Sequence, residues 1–166
     1  HPRVIDQAVP FTMEADSLNA CILGPDAIPG TPEFDLFIRE VRTEMTVKSG
    51  QKCTAIRRAI VPEHLMDDVQ TALSQALDKV VIGDPRLKEV RMGALISKDE
   101  EEQVKKKVRE LATESEIVYG NLDEVKLTGA DAKKGAFMSP IVLRNDDPFN
   151  CESIHNVEAF GPVSTI

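Results

Sequence analysis

The chain has 166 residues, 42% of them hydrophobic and 29% charged, which is enough for one domain with its own core. Its 28 acidic residues against 20 basic ones leave a net charge of -8, which argues against a general nucleic-acid binder with a basic face. No apolar run approaches the length of a membrane span, so no membrane partner is expected.

Val4 to Met13 alternates weakly and predicts a strand leading into Glu14. Leu18 to Leu23 is an apolar strand, broken by Gly24-Pro25, and the segment to Gly30 is a loop. Thr31 and Pro32 stand as N-cap and first residue of a helix. Phe34, Phe37, Ile38, Val41 and Met45 form its buried stripe, and Gly50 ends it. A β-rich segment begins near Ile56, with its core at Ala59 to Val61, and closes at Pro62. A helix is predicted from Glu63 to Lys79, with Leu65, Val69, Leu73, Leu77 and Val80 on one face and Gly83-Asp84-Pro85 beyond it. Met92 to Ile96 reads as extended. Ser97-Lys98-Asp99-Glu100 is a capping box opening a surface helix whose thin apolar stripe is Val104, Val108 and Leu111. Glu116 to Tyr119 and Ala136 to Leu143 read as strands around a polar loop from Asn121 to Lys134. Strands alternating with helices predict an α/β fold with a mostly parallel sheet.

Cys21, Cys53 and Cys151 have no C-x2-C spacing, so no metal site is expected, and so sparse a set suits a reducing compartment. Cys53 follows Gly50-Gln51-Lys52 between a helix and a strand. A free cysteine is usually a small buried hydrophobe. Here the polar neighbours speak against that, and Lys52 with Arg57 or Arg58 nearby could lower the thiol's pKa, so position and neighbours alone leave a nucleophile and a packed thiol equally open. Cys21 reads as a packed core thiol and Cys151 as incidental. Glu14 closes a predicted strand, where a general base can sit in an α/β fold, but a solvated or capping acid is the blander reading. Glu158 stands before Phe160-Gly161-Pro162 and is either a holder of a sugar hydroxyl pair or a surface charge. His64 and His155 have no evident partners. No G-x-G-x-x-G or Walker loop is present in the sequence.

Glu14, Gly50-Gln51-Lys52-Cys53 and Glu158-Ala159-Phe160-Gly161-Pro162-Val163, in that order, resemble the aldehyde dehydrogenase superfamily. Met92-Gly93-Ala94-Leu95-Ile96-Ser97 is similar to its M-G-P-L-I-S stretch, with Ala94 for the usual proline. Gly135-Ala136-Phe137-Met138-Ser139-Pro140 is similar to its G-x-F-x-x-P strand. The family's E-L-G-G stands here as Glu14-Ala15-Asp16-Ser17. The run Pro10 to Asn19, and Ala55-Ile56-Arg57-Arg58, resemble the dehydrogenase part of the bifunctional ring-opening enzymes of phenylacetate catabolism.

The resemblance implies a three-layer αβα catalytic domain over residues 1–166, a fragment without the nucleotide-binding domain and the oligomerisation strand. It implies oxidation of an aldehyde, a CoA-linked semialdehyde in that branch, to an acid with NADP, or NAD, as cofactor. Cys53 would form the thiohemiacetal, and its backbone N–H and an upstream asparagine would hold the oxyanion. Glu14 would activate the hydrolytic water. Glu158 would hold the nicotinamide ribose, with Phe160 near the ring. The parent enzyme would be a cytoplasmic homo-oligomer with a fused hydratase-like domain, and this chain alone would not turn over. Two other readings stay open: a structural or interaction domain with an incidental thiol, and a cofactor-free cysteine esterase or thioesterase.

Overall fold

The computed structural model describes residues 2–12 and 17–166. Strands β1 (Asn19–Ile22), β2 (Ile56–Ile60), β3 (Glu116–Tyr119), β4 (Ile141–Arg144) and β5 (Val163–Thr165) form one sheet in the order β1-β2-β5-β4-β3. All neighbours are parallel except β3 and β4. The helices are α1 (Pro2–Asp6), α2 (Pro32–Thr46), α3 (Met66–Leu77), α4 (Lys98–Leu111) and α5 (Ser153–Asn156).

Strand β4 shows why helices lie on both faces. Successive strand side chains point to opposite sides. Val142 packs with α2 and α3 in one core cluster, whereas Ile141 and Leu143 pack with Val104, Val108 and Leu111 of α4 in the other. A strand apolar on both faces needs a helix layer on each, and the α/β fold with a mostly parallel sheet follows. No helix among the described residues is long and apolar enough to cross a membrane.

The Thr31 hydroxyl accepts from the Phe34 N–H at 3.3 Å, so α2 starts where its cap predicts, and the five residues of the predicted stripe are buried. Ser97 likewise caps α4, accepting from the Glu100 N–H at 3.1 Å.

Several boundaries differ. The strand expected from Val4 is the short helix α1, which buries nothing. Pro2 suits a first helical position, and the Ala8 and Val9 N–H groups turn back to the carbonyls of Ile5 and Val4. Met13 lies outside the described residues. Of the strand expected over Ala136 to Leu143, only the residues after Pro140 join the sheet, because proline has no N–H for the ladder. The helix expected from Glu63 begins as a 3-10 turn (Glu63–Leu65), and α3 ends at Leu77.

Helix α2 stops at Thr46, short of Gly50. The chain then winds through a 3-10 turn (Val47–Gly50) with Lys48, Ser49 and Gly50 at φ of 52, 54 and 69°. Ser49 is buried and donates its hydroxyl to the Gly93 carbonyl at 2.9 Å. This turn leads into Gln51 to Thr54, which run up to β2.

Candidate active site

Cys53 lies in the tight turn that joins this winding segment to β2, closed by the Ala55 N–H on the Lys52 carbonyl at 3.1 Å. Its thiol is free and the residue exposed, whereas Cys21 is half-buried and Cys151 buried. Burial pushes the Cys21 thiol up, with Glu40 adding to it and a hydrogen bond from the Ile22 backbone opposing it. Cys21 is thus the packed thiol that its apolar strand predicts. Cys151 is buried and lies 3.5 Å from Glu114 Oε2.

The cations expected beside the thiol have other partners. Lys52 Nζ pairs with Glu44 Oε1 at 2.6 Å. Arg58 Nε donates to the Leu18 carbonyl at 3.1 Å, and its Nη1 lies 3.1 Å from His155 Nδ1. Guanidinium can only donate, so His155 Nδ1 is the acceptor, and its Nε2 donates to the Pro148 carbonyl at 2.9 Å. His64 Nε2 lies 3.3 Å from the Pro25 carbonyl, so both histidines have structural partners that their sequence neighbours do not reveal.

Arg57 is the central side chain. It and Ala59 are the two buried positions of β2. Its Nη1 donates to the Gly161 carbonyl at 2.6 Å and its Nη2 to the Gly50 carbonyl at 2.8 Å. Its Nε lies 3.5 Å from Glu158 Oε1, a charge contact too long to count as a hydrogen bond. Both side chains are nearly shut off from solvent, at 4% and 8% exposure, so Glu158 is no surface charge. The guanidinium also sits over the Phe160 ring, 5.4 Å from its centroid. Burial draws the Arg57 pKa down, against the opposing pull of the Glu158 and Glu44 carboxylates. One buried arginine therefore ties the Gly50 motif to the Glu158–Pro162 motif.

The two motifs also meet backbone to backbone. A Cβ on Gly50 would stand 2.1 Å from the Gly161 carbonyl oxygen and 2.9 Å from Pro162 N. Gly50 also has φ of 69°, a left-handed conformation costly for other residues. Gly50→Ala is therefore expected to lose about 2–5 kcal/mol, adding left-handed strain to overpacking. A urea titration checks this, and a midpoint equal to that of the parent chain would contradict the close approach.

Ser17, just before β1, and Asn19, its first residue, hold the cysteine turn. The Ser17 hydroxyl is 2.8 Å from the Cys53 carbonyl, and Asn19 Nδ2 donates to the same oxygen at 2.6 Å and to the Ala55 carbonyl at 3.2 Å. Ser17 also reaches Glu158, with its N–H on Oε2 at 3.0 Å and its hydroxyl 3.3 Å from Oε1. The Met92–Ile96 segment also reaches the motif, where the Ile96 N–H donates to Gln51 Oε1 at 2.8 Å. Of the residues singled out by sequence, Cys53, Glu158 and Phe160 belong to this one network, and Glu14 lies outside the described residues. Ser17, Asn19 and the hub role of Arg57 were missed. A charged residue sharing a face with Ala59 in a short strand was the available signal for Arg57.

The profile of the aldehyde dehydrogenase family matches residues 4–166. The chain belongs to this family. Among curated members, the 3,4-dehydroadipyl-CoA semialdehyde dehydrogenase of Aromatoleum evansii is 43% identical over 166 residues, covering 100% of this chain and 32% of that enzyme. Two solved aldehyde dehydrogenases share the fold. A betaine aldehyde dehydrogenase variant from Staphylococcus aureus superposes with a TM-score of 0.76 at 26% identity, covering 92% of this chain and 28% of that one. The succinic semialdehyde dehydrogenase of Streptococcus pyogenes, solved with NADP+ as the cofactor, gives 0.74 at 24% identity over 91% of this chain and 30% of that one. The chain thus spans about a third of the length of the aldehyde dehydrogenases it matches.

Proposed function

We propose that this chain is the catalytic domain of an NAD(P)-dependent aldehyde dehydrogenase, with Cys53 as its nucleophile. The observation that carries this reading is an exposed thiol on a turn tied through Ser17 to the Glu158 carboxylate, beside Phe160, within a family match covering 163 of the residues. The substrate class we propose is a CoA-linked semialdehyde, supported by the 43% identity to the Aromatoleum enzyme. The parts of such enzymes that this chain does not cover would contribute the dinucleotide-binding domain. The likeness of Pro10 to Asn19 to the ring-opening enzymes of phenylacetate catabolism supports a cytoplasmic, homo-oligomeric parent with a fused hydratase-like domain.

The residues present suit a nicotinamide nucleotide. Among the described residues, Glu158 Oε2 accepts from the Ser17 N–H only, and a carboxylate oxygen has room for a second donor such as a ribose hydroxyl. Phe160 is half-buried, with Arg57 over its ring. Glu158 and Phe160 are therefore the residues proposed to hold the ribose and flank the ring, and the bound nucleotide supplies the oxidising power.

The protein's own steps follow. The Cys53 thiolate attacks the aldehyde carbon, forming a C–S bond as the carbonyl electrons move to oxygen. After oxidation the acyl group is a thioester on Cys53. Water attacks that carbonyl, the C–S bond breaks, and the thiolate is restored; Glu14 is proposed to take the proton from the water. Thiol labelling tests the nucleophile. Cys53 is expected to react with iodoacetamide well before Cys21 and Cys151, and selective labelling of Cys21 first would refute the assignment.

A further inference from the structure

We propose that Ser17 is a positioning residue that couples the Glu158 carboxylate to the Cys53 turn through a single shared proton. This rests on the catalytic reading above for its functional meaning, though the coupling itself is geometric. A hydroxyl carries one proton. The Ser17 hydroxyl faces two acceptors that have none to offer, the Cys53 carbonyl at 2.8 Å and Glu158 Oε1 at 3.3 Å. It can donate fully to only one at a time.

The surroundings keep this choice balanced. The Cys53 carbonyl has a second donor in Asn19 Nδ2, so it is not orphaned when the proton turns away. Glu158 keeps the Ser17 N–H on Oε2 and the charge of Arg57 3.5 Å from Oε1. A donor arriving at Glu158 Oε2, such as a ribose hydroxyl, draws on the carboxylate's charge and makes Oε1 a weaker acceptor, so the Ser17 proton shifts to the Cys53 carbonyl. Occupancy of Glu158 is then felt as a tighter turn under the thiol.

A labelling cycle tests this on the full 166-residue chain. Removing the hydroxyl leaves the Cys53 carbonyl with Asn19 Nδ2 as its side-chain donor among the described residues, so Ser17→Ala is expected to speed iodoacetamide labelling of Cys53 about 2- to 10-fold, the range of one modest hydrogen bond. Ser17→Thr, which keeps a hydroxyl, is expected to restore the parent rate. Glu158→Gln offers a weaker acceptor than the carboxylate, so the proton shifts to Cys53 and labelling slows about twofold or more. In the Ser17→Ala background the same Glu158→Gln change should have no effect. Equal effects of Glu158→Gln with and without the Ser17 hydroxyl would overturn the proposal, as would an unchanged rate in Ser17→Ala.

Should Glu158→Gln fail to fold, amide hydrogen exchange at residue 17 decides. The hydroxyl holds Glu158 for the Ser17 N–H, so exchange should quicken about 2- to 10-fold in Ser17→Ala and not in Ser17→Thr. No change in Ser17→Ala refutes the coupling. The catalytic reading fails separately, when Cys53 of the unsubstituted chain labels no faster than Cys21; the exchange measurement still rules on Ser17.

Discussion

Cys53→Ser is expected to lower aldehyde-dependent NADPH formation by more than about 1,000-fold while leaving the fold intact. The assay uses a polypeptide that carries this chain together with a dinucleotide-binding part. Loss of an enzyme's nucleophile costs rate on at least this scale. A serine hydroxyl in place of the thiol is a far weaker acid and a poorer nucleophile, and among the described residues the nearby cations are engaged elsewhere. Lys52 is paired with Glu44, Arg57 with two carbonyls and Glu158, and Arg58 with Leu18 and His155. Because the residue is exposed, the substitution should change stability by less than about 0.5 kcal/mol. Cys21→Ser, which alters a half-buried thiol of the strand, serves as the contrast and should keep most of the turnover. A Cys53→Ser protein that still oxidises aldehyde within tenfold of the parent would remove Cys53 from the mechanism.

Arg57→Met is expected to cost about 3–5 kcal/mol, a large part of the 5–15 kcal/mol by which a domain of this size is usually stable. Methionine fills much of the space, so the cost is not chiefly a cavity. It comes from Glu158, left nearly buried without its counter-charge, and from the Gly50 and Gly161 carbonyls, each deprived of a guanidinium donor. Arg57→Lys should recover only part of the loss. An ammonium can keep the charge near Glu158 but has no planar fork to span two carbonyls. Adding Glu158→Met to Arg57→Met should regain part of the stability, since no buried charge then lacks a partner. Urea denaturation of the three proteins measures this. A loss below about 1 kcal/mol for Arg57→Met would mean that the two motifs hold together without their arginine.

Much of the fold was legible because local rules governed it. Thr31 and Ser97 are side-chain caps, and their helices begin where those caps stand. The stripe from Phe34 to Met45 has helical period and is buried as a face. The misread segments are those where a neighbour decided. Val4 to Met13 alternates weakly as a strand does, but among the described residues no strand pairs with it, and Pro2 to Asp6 turns as a helix. Ala136 to Ser139 reads as strand, yet the ladder starts only beyond Pro140, which lacks the donor. Gly50 ends a left-handed turn, and α2 has already stopped at Thr46 because Val47 turns to extended backbone.

The candidate site divides the same way. Cys53, Glu158 and Phe160 stood out in the sequence, as a thiol in a polar setting and a carboxylate before a glycine-proline turn. Taken in order with Glu14 and the Gly50-Gln51-Lys52 run, they carried the resemblance to the aldehyde dehydrogenase family, to which the chain belongs, and with it the chemistry expected of it. The tertiary structure decided how the pieces connect. It turned Lys52 toward Glu44, buried Glu158 against Arg57, and brought Ser17 between Glu158 and Cys53. Ser17 and Glu158 are 141 residues apart, and a hydrogen bond at that separation leaves no local pattern. Composition, period and caps act over a few residues, so one chain read alone reveals them. Which charge pairs with which, and which backbone needs a glycine to approach it, depends on packing that only the folded chain creates.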